Sequence, residues 1–269
     1  MKTGQSGQAL RLSGILLVVL LALGGCEPMG SSAARTADDS TAACIKEAFE
    51  GSSFTHCLAD PQQHAIALYL AGADSLPLRS FGALRSALGE DAATVVFAAN
   101  AGMFDTDGRP IGLYVEHGKV LKSLNRNEGA GNFHLLPNGV FLVDDSGWQV
   151  LTTQDFAMRD TDVAFATQSG PMLVIDGKLH PEFAPDGTSI NYRNGVGVDQ
   201  EGRAHFVISD DPVSFGRFAR FFRDRAETPN ALYLDGAVSA LWDPASARID
   251  AAPPLGPLIA VQDRARTLP

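Results

Sequence analysis

From residue 64 onward the apolar residues fall mostly in short runs bounded by turn-forming clusters, which is the pattern of strands. Residues 65–70 are apolar, 94–99 open on β-branched side chains, and 111–116 run into His117-Gly118 and a second strand-like stretch. Residues 132–136, Pro137-Asn138-Gly139 and 140–143 have the strand, turn, strand composition of a hairpin, and Asp144-Asp145-Ser146-Gly147 then opens a strand at Trp148. Asp176-Gly177 and Glu201-Gly202 mark two more tight turns. Two stretches depart from the strand period: Leu78, Phe81, Leu84 and Leu88, and later Phe215, Phe218, Ala219 and Phe222, recur at helical spacing. They predict two amphipathic helices packed on sheet. Runs of strands with few helices between them predict an α+β fold, a single strand-rich domain with a mixed or antiparallel sheet, rather than regular βαβ winding.

Composition narrows the partners. The chain is 45% hydrophobic and 19% charged, with 21 Lys and Arg against 31 Asp and Glu and a net charge of −10. That sign opposes the counterion release on which phosphate-backbone binding depends, so a nucleic-acid partner is not expected. Near the N-terminus, Lys2 and Arg11 precede an apolar run over residues 15–23 that ends in Leu23-Gly24-Gly25-Cys26. The run is shorter than the roughly 20 residues that cross a bilayer, and the small residues before the cysteine fit a signal-peptidase cleft. Residues 1–25 therefore read as a signal peptide with a bacterial lipobox ending, Cys26 as the lipidated first residue of the mature chain, and membrane attachment through that anchor. Residues 26–43, rich in Ser, Ala, Thr and Asp, read as a flexible tether, and residues 44–269 as the folded domain. The expected location is the bacterial cell envelope, periplasm-facing. In an oxidising compartment Cys44 and Cys57 are expected to close a small loop as a disulfide, two buried thiols being the alternative.

Familiar catalytic signatures are missing. The six histidines show no zincin spacing, and there is no nucleophile elbow, phosphate-binding loop or complete dinucleotide fingerprint. Asp105-Thr106-Asp107-Gly108 begins like a calcium loop but lacks the later ligands and reads as a solvated turn. No cofactor is identifiable, and a divalent metal held by oxygen ligands stays open. Four polar, glycine-containing clusters remain, each beside a hydrophobic strand: residues 100–104, 167–171, 191–195 and 233–239. Such positions are where a scaffold can converge loops on one pocket.

In this order the clusters resemble the phosphodiester glycosidase family, the bacterial relatives of the mannose 6-phosphate uncovering enzyme. The resemblance rests on Asn100-Ala101-Gly102-Met103-Phe104, Gln168-Ser169-Gly170-Pro171-Met172-Leu173, Arg193-Asn194-Gly195-Val196-Gly197-Val198 and Leu232-Tyr233-Leu234-Asp235-Gly236, and runs from about residue 64 to Ala260. Where the family often has Asn-Gly-Gly-Phe-Phe this chain has Ala101 and Met103, and where it has Asp-Gly-Gly-x-Ser this chain has Ala237. The resemblance implies hydrolysis of a sugar joined through its anomeric carbon to a phosphodiester, with a carbohydrate phosphodiester as the partner.

Residue chemistry then assigns roles. Arg193, whose planar fork binds two phosphate oxygens and whose charge does not titrate away, is expected to neutralise the leaving phosphate. Asp235 is expected to act as base toward water or as nucleophile toward C1. Asn100, Gly102, Gln168, Ser169, Gly170, Asn194, Gly236 and Ser239 are expected to contact substrate. The competing readings are a turn aspartate for Asp235 and a surface ion pair for Arg193. At the level of the whole chain they are a non-catalytic glycan-binding lipoprotein, and a metal-dependent phosphodiesterase drawing on Asp199, Asp210, Asp211 and Asp235.

Overall fold

Three antiparallel sheets carry the chain in the computed structural model, which describes residues 42–160, 162–251 and 253–266. The first sheet has seven strands in the spatial order Cys44–Phe49, Ser52–Ala59, Ala204–Ser209, Asn194–Val198, Asn230–Tyr233, Met172–Ile175 and Lys178–Leu179. The second orders Arg248–Ile249, Leu241–Asp243, Val95–Asn100, Leu258–Asp263 and His64–Tyr69. The third orders Lys119–Lys122, Tyr114–Glu116, Phe165–Ser169, Gly139–Asp144 and Gly147–Thr152. The described residues lie in one compact unit that spans Ser40–Pro269, and the fold is α+β and strand-rich. Among the described residues no helix is long and apolar enough to cross a membrane. Cys26, the signal peptide and nearly all of the expected tether fall outside them.

Side-chain alternation decides what each strand face meets. Val196, Phe206, Ile208, Leu232 and Met172 from the first sheet, Phe97, Ile66 and Ile259 from the second, and Phe141, Trp148 and Tyr114 from the third share one buried cluster. The intervening residues of the first sheet, Phe54, Val207, Ala231 and Tyr233, face the other way, onto Phe218, Phe221 and Phe222. These belong to the helix Phe215–Arg220 and the wider turn Phe221–Arg225 that continues it. The helix starts where Ser214 Oγ accepts from Arg217 N at 3.1 Å. The helix Phe81–Leu88, capped in the same way by Ser80 on Ala83 N, buries Phe81 and Leu84 against Val95, Ala98 and Leu258 of the second sheet. Full burial of each such phenylalanine contributes about 2–3 kcal/mol.

Both helices fall where the helical spacing places them, and Asp176-Gly177, Glu201-Gly202 and His117-Gly118 each join paired strands. The hairpin expected around Pro137-Asn138-Gly139 is corrected. Asn132–His134 forms a short 3-10 turn, and Gly139–Asp144 pairs instead with Gly147–Thr152 across Asp145-Ser146. Pro137 has no N–H to give a ladder, and Asn138 Nδ2 bonds back to Phe133 O at 2.9 Å, which fixes the preceding segment as a turn. Cys44 and Cys57 are disulfide-bonded and sit opposite each other in the first hairpin.

Candidate active site

Strand ends from the three sheets meet around Asn100, the last residue of Val95–Asn100 and 1% exposed. Its Nδ2 donates to Asp235 O at 2.8 Å, while its Oδ1 accepts from Asn194 Nδ2 at 2.9 Å and Ala240 N at 3.0 Å. One amide thus ties the second sheet to the first and to the loop after Tyr233. Gly102 N donates to Thr167 Oγ1 of the third sheet, and a methyl group on Gly102 would lie 2.6 Å from that oxygen, so this close approach requires glycine. Gln168 accepts at Oε1 from Leu113 N and Asn125 N, and donates from Nε2 to Asn125 O and Thr153 Oγ1. Ser169 is fully buried, Gly170 packs against Asn138 Cβ, and Ser239 Oγ donates to Gly236 O at 2.9 Å.

Beside this frame lies a cavity of about 320 Å³ lined by Arg193, Tyr233, Asp235, Gly236 and Ala237, with Met103, Asn132, Asn191 and Tyr192 at its other walls. Among the residues expected to touch substrate, Gly236 lines it with Arg193 and Asp235. Asn100, Gly102, Gln168, Ser169, Gly170, Asn194 and Ser239 do not. Asn100 and Gln168 spend their amides on protein groups, and the others form the frame behind the lining. Tyr233, Asn191 and Tyr192 are additional, and each stands inside a cluster the sequence singles out; Asn132, in the misread hairpin, carries no such signal. A larger cleft of about 810 Å³ runs past Arg85, Trp242 and Arg248, away from these groups. Chemistry rather than size selects the smaller cavity.

Arg193 is 1% exposed, which removes the surface-pair reading. Its Nε donates to Val213 O at 2.9 Å and one Nη to Ser189 O at 2.8 Å, and its Cζ lies 3.5 Å from the Phe215 ring centroid and 5.6 Å from that of Tyr233. Phe215 and Tyr233 meet edge to face. Among the described residues no carboxylate pairs with Arg193. Burial pushes its pKa below the usual value, with the Tyr233 phenol acting the other way, and a guanidinium keeps its charge across the working pH range. The site therefore holds a fixed, desolvated cation that no carboxylate among the described residues pairs with, the arrangement that favours an anionic ligand.

Asp235 follows the Asn230–Tyr233 strand and caps the short turn Gly236–Val238, its Oδ1 accepting from Ala237 N at 3.2 Å. It is a turn residue and a cavity residue at once. Burial raises its pKa above the usual carboxylate value, and the Ala237 N–H offsets this only in part. At Gly236 a methyl group would overlap the Tyr233 hydroxyl, so glycine here lets that phenol lie against the backbone of the loop.

The other acidic candidates lie elsewhere. Asp199 accepts from Arg203 Nε at 2.7 Å and from His205 Nε2 at 2.9 Å, beside a separate depression. With His205 donating there, its Nδ1 accepts, so His56 Nε2 donates across their 2.8 Å contact, and Glu47 sits 3.6 Å from His56 Nδ1. Burial, then the neighbouring His205, lowers the His56 pKa to about 4. Asp210 accepts from Thr55 Oγ1 and Asp211 from Ser53 N. Among the described residues no three His, Cys, Asp or Glu side chains gather as a metal ligand set.

A phosphodiester glycosidase family profile matches residues 93–246. The uncharacterized Escherichia coli (strain K12) protein YigE is 32% identical over 185 residues, 68% of this chain and 71% of that protein. The zebrafish N-acetylglucosamine-1-phosphodiester alpha-N-acetylglucosaminidase catalytic domain, auto-inhibited by its pro-peptide, superposes with a TM-score of 0.55 at 17% identity, covering 82% of each chain, and so shares the fold. The matched span contains all four polar clusters and both Arg193 and Asp235, and the chain belongs to the phosphodiester glycosidase family, glycosidase-type hydrolases that act on carbohydrate phosphodiesters.

Proposed function

We propose that this protein hydrolyses the bond between the anomeric carbon of a sugar and a phosphodiester oxygen in envelope glycans or glycoconjugates. The observation that carries the reading is a buried cation and a half-buried carboxylate lining one cavity without pairing with each other. Arg193 would hold the phosphate and take up the charge that grows as the C1–O electron pair leaves with it. Asp235 would take the proton of the water that adds to C1, or attack C1 first and be displaced by water. The products are a free sugar and a phosphomonoester. Tyr233, packed between Arg193 and Gly236, would place its hydroxyl beside the same phosphate.

The test is incubation of the protein with sugar-1-phosphodiesters, with and without chelator, and measurement of reducing sugar. Asp235→Asn should slow the single-turnover step by roughly 10²- to 10⁴-fold, the range for loss of an acid–base group. Since burial raises the Asp235 pKa, its charge opposes folding at neutral pH, so the same variant should unfold at an unchanged or higher temperature. A turn-only aspartate predicts unaltered activity, because asparagine serves turns equally well. Free sugar released at the wild-type rate by Asp235→Asn would exclude the mechanism.

We also propose that the chain is an envelope lipoprotein anchored at Cys26. Without acyl chains the cleaved chain has no other sequence-evident apolar anchor, so Cys26→Ser should move the protein from the membrane to the soluble fraction. An unchanged membrane fraction would count against the anchor.

A further inference from the structure

Beside the Asn132–Pro137 segment lies a second cavity, of about 540 Å³, whose lining includes one charged side chain, Arg126, and no acidic one. The two cavities are close neighbours. Asn132 lines the first and Asn138 the second, and both approach the same point on Gly170, where a methyl group would sit 3.3 Å from Asn132 O and 2.7 Å from Asn138 Cβ.

The second cavity has a particular hydrogen-bond inventory. Asn138 is 2% exposed; its Nδ2 is committed to Phe133 O, which fixes the amide's orientation, and its Oδ1 is buried with no partner in the protein. A buried acceptor of this kind is costly unless something donates to it. Thr153 Oγ1 already accepts from Gln168 Nε2, which leaves its own hydrogen to donate. At the rim, Asn127 and Gln154 are exposed amides with no side-chain partner among the described residues, and Leu136 stands 55% exposed beside them. Arg126 can donate to an anion or to hydroxyl oxygens alike, but an acceptor-only anion cannot satisfy Asn138 Oδ1. A ring of hydroxyl groups can, because each hydroxyl both donates and accepts, and the apolar face of a pyranose suits Leu136.

We propose that this second cavity is a subsite for a neutral saccharide ring. Its occupant would be a further sugar of the glycan whose phosphodiester lies against Arg193, a link that rests on the function proposed above, whereas the saccharide binding itself does not.

The test uses the full-length protein and calorimetric titration with maltose, cellobiose, lactose, chitobiose and mannobiose. At least one should bind. The triple variant Asn127→Ala/Leu136→Ser/Gln154→Ala, confined to exposed positions, should weaken that binding at least tenfold, while Arg193→Lys should leave it within twofold. No binding by any of the five, or binding weakened by Arg193→Lys and not by the triple variant, would overturn the subsite. A second arm measures kcat/KM on a methyl sugar-1-phosphodiester and on the same compound extended by the disaccharide that binds. Extension should raise the wild-type value at least tenfold, the gain should vanish in the triple variant, and the short substrate should be unaffected. Equal values for the two substrates would overturn the link between the cavities. Failure to cleave either would refute the hydrolase reading and leave the titration result standing.

Discussion

At the scale of single residues, the arginine in the cavity is distinguished by how little freedom it has. Nε and one Nη of Arg193 are fixed on Val213 O and Ser189 O, and Phe215 covers one face of the plane. A lysine would keep the charge but lose the fork and the stacking, so Arg193→Lys should lower kcat/KM on phosphodiesters about 10²-fold, with the loss absent on sugar substrates carrying an uncharged leaving group. An equal loss on both would point to a structural defect. That Arg193 and Asp235 line one cavity was legible because both stand in polar, glycine-containing clusters beside apolar strands, where loops converge. Asn100 and Gln168, expected beside substrate, lie outside the cavity lining for a physical reason. An amide beside glycine has the same sequence signature whether it faces a ligand or the backbone of a neighbouring strand, and here each holds backbone and side-chain groups of other segments together. The closed inventory of bonds, visible only in the fold, distinguishes the two.

At the scale of elements, the strand pair Ser52–Ala59 and Ala204–Ser209 carries His56 and His205 across the sheet as a bonded pair. Glu47, Arg225, Asp199 and Arg203 surround it. His56 is held near 4 in the fold against about 6.5 unfolded. A histidine kept neutral by folding contributes full stability above pH 6.5 and loses it as the pH falls toward 4. The urea midpoint should therefore drop across that window, and His56→Gln should flatten the drop; parallel curves for the two proteins would remove the pair as its cause. The same elements show where strand patterning failed. Ser52–Ala59 buries Ser52 and Thr55, which are paid for by bonds to Arg217 and Asp210, so its polar letters hide a central strand. The hairpin error at residues 132–143 has a different origin: a strong turn signature marked a real bend, but Pro137 and the Asn138 side chain set it before the strand instead of between two.

At the scale of the whole molecule, class and family were legible while sheet organisation was not. Periodicity separates strands from helices, but which strands share a sheet depends on long-range pairings such as Cys44–Phe49 with Ser52–Ala59 and Ala204–Ser209 beyond them, and no local pattern encodes these. One such pairing set also leaves Arg193 desolvated at the edge of the first sheet, with no carboxylate paired to it among the described residues. Folding therefore ends with an electrostatic debt at a single point, and whatever anion settles there binds the native chain alone. Thermal stability becomes a gauge of occupancy. Inorganic phosphate or a sugar phosphate at a hundredfold excess over its Kd should add about 2.7 kcal/mol, or roughly 5–10 °C in Tm for a chain of this size. Arg193→Lys should blunt that rise, and an equal rise in both proteins would mean the anion stabilises the fold from elsewhere. Wherever unfolded chains meet proteases, the protein would then last longest where its phosphate-bearing ligands are abundant.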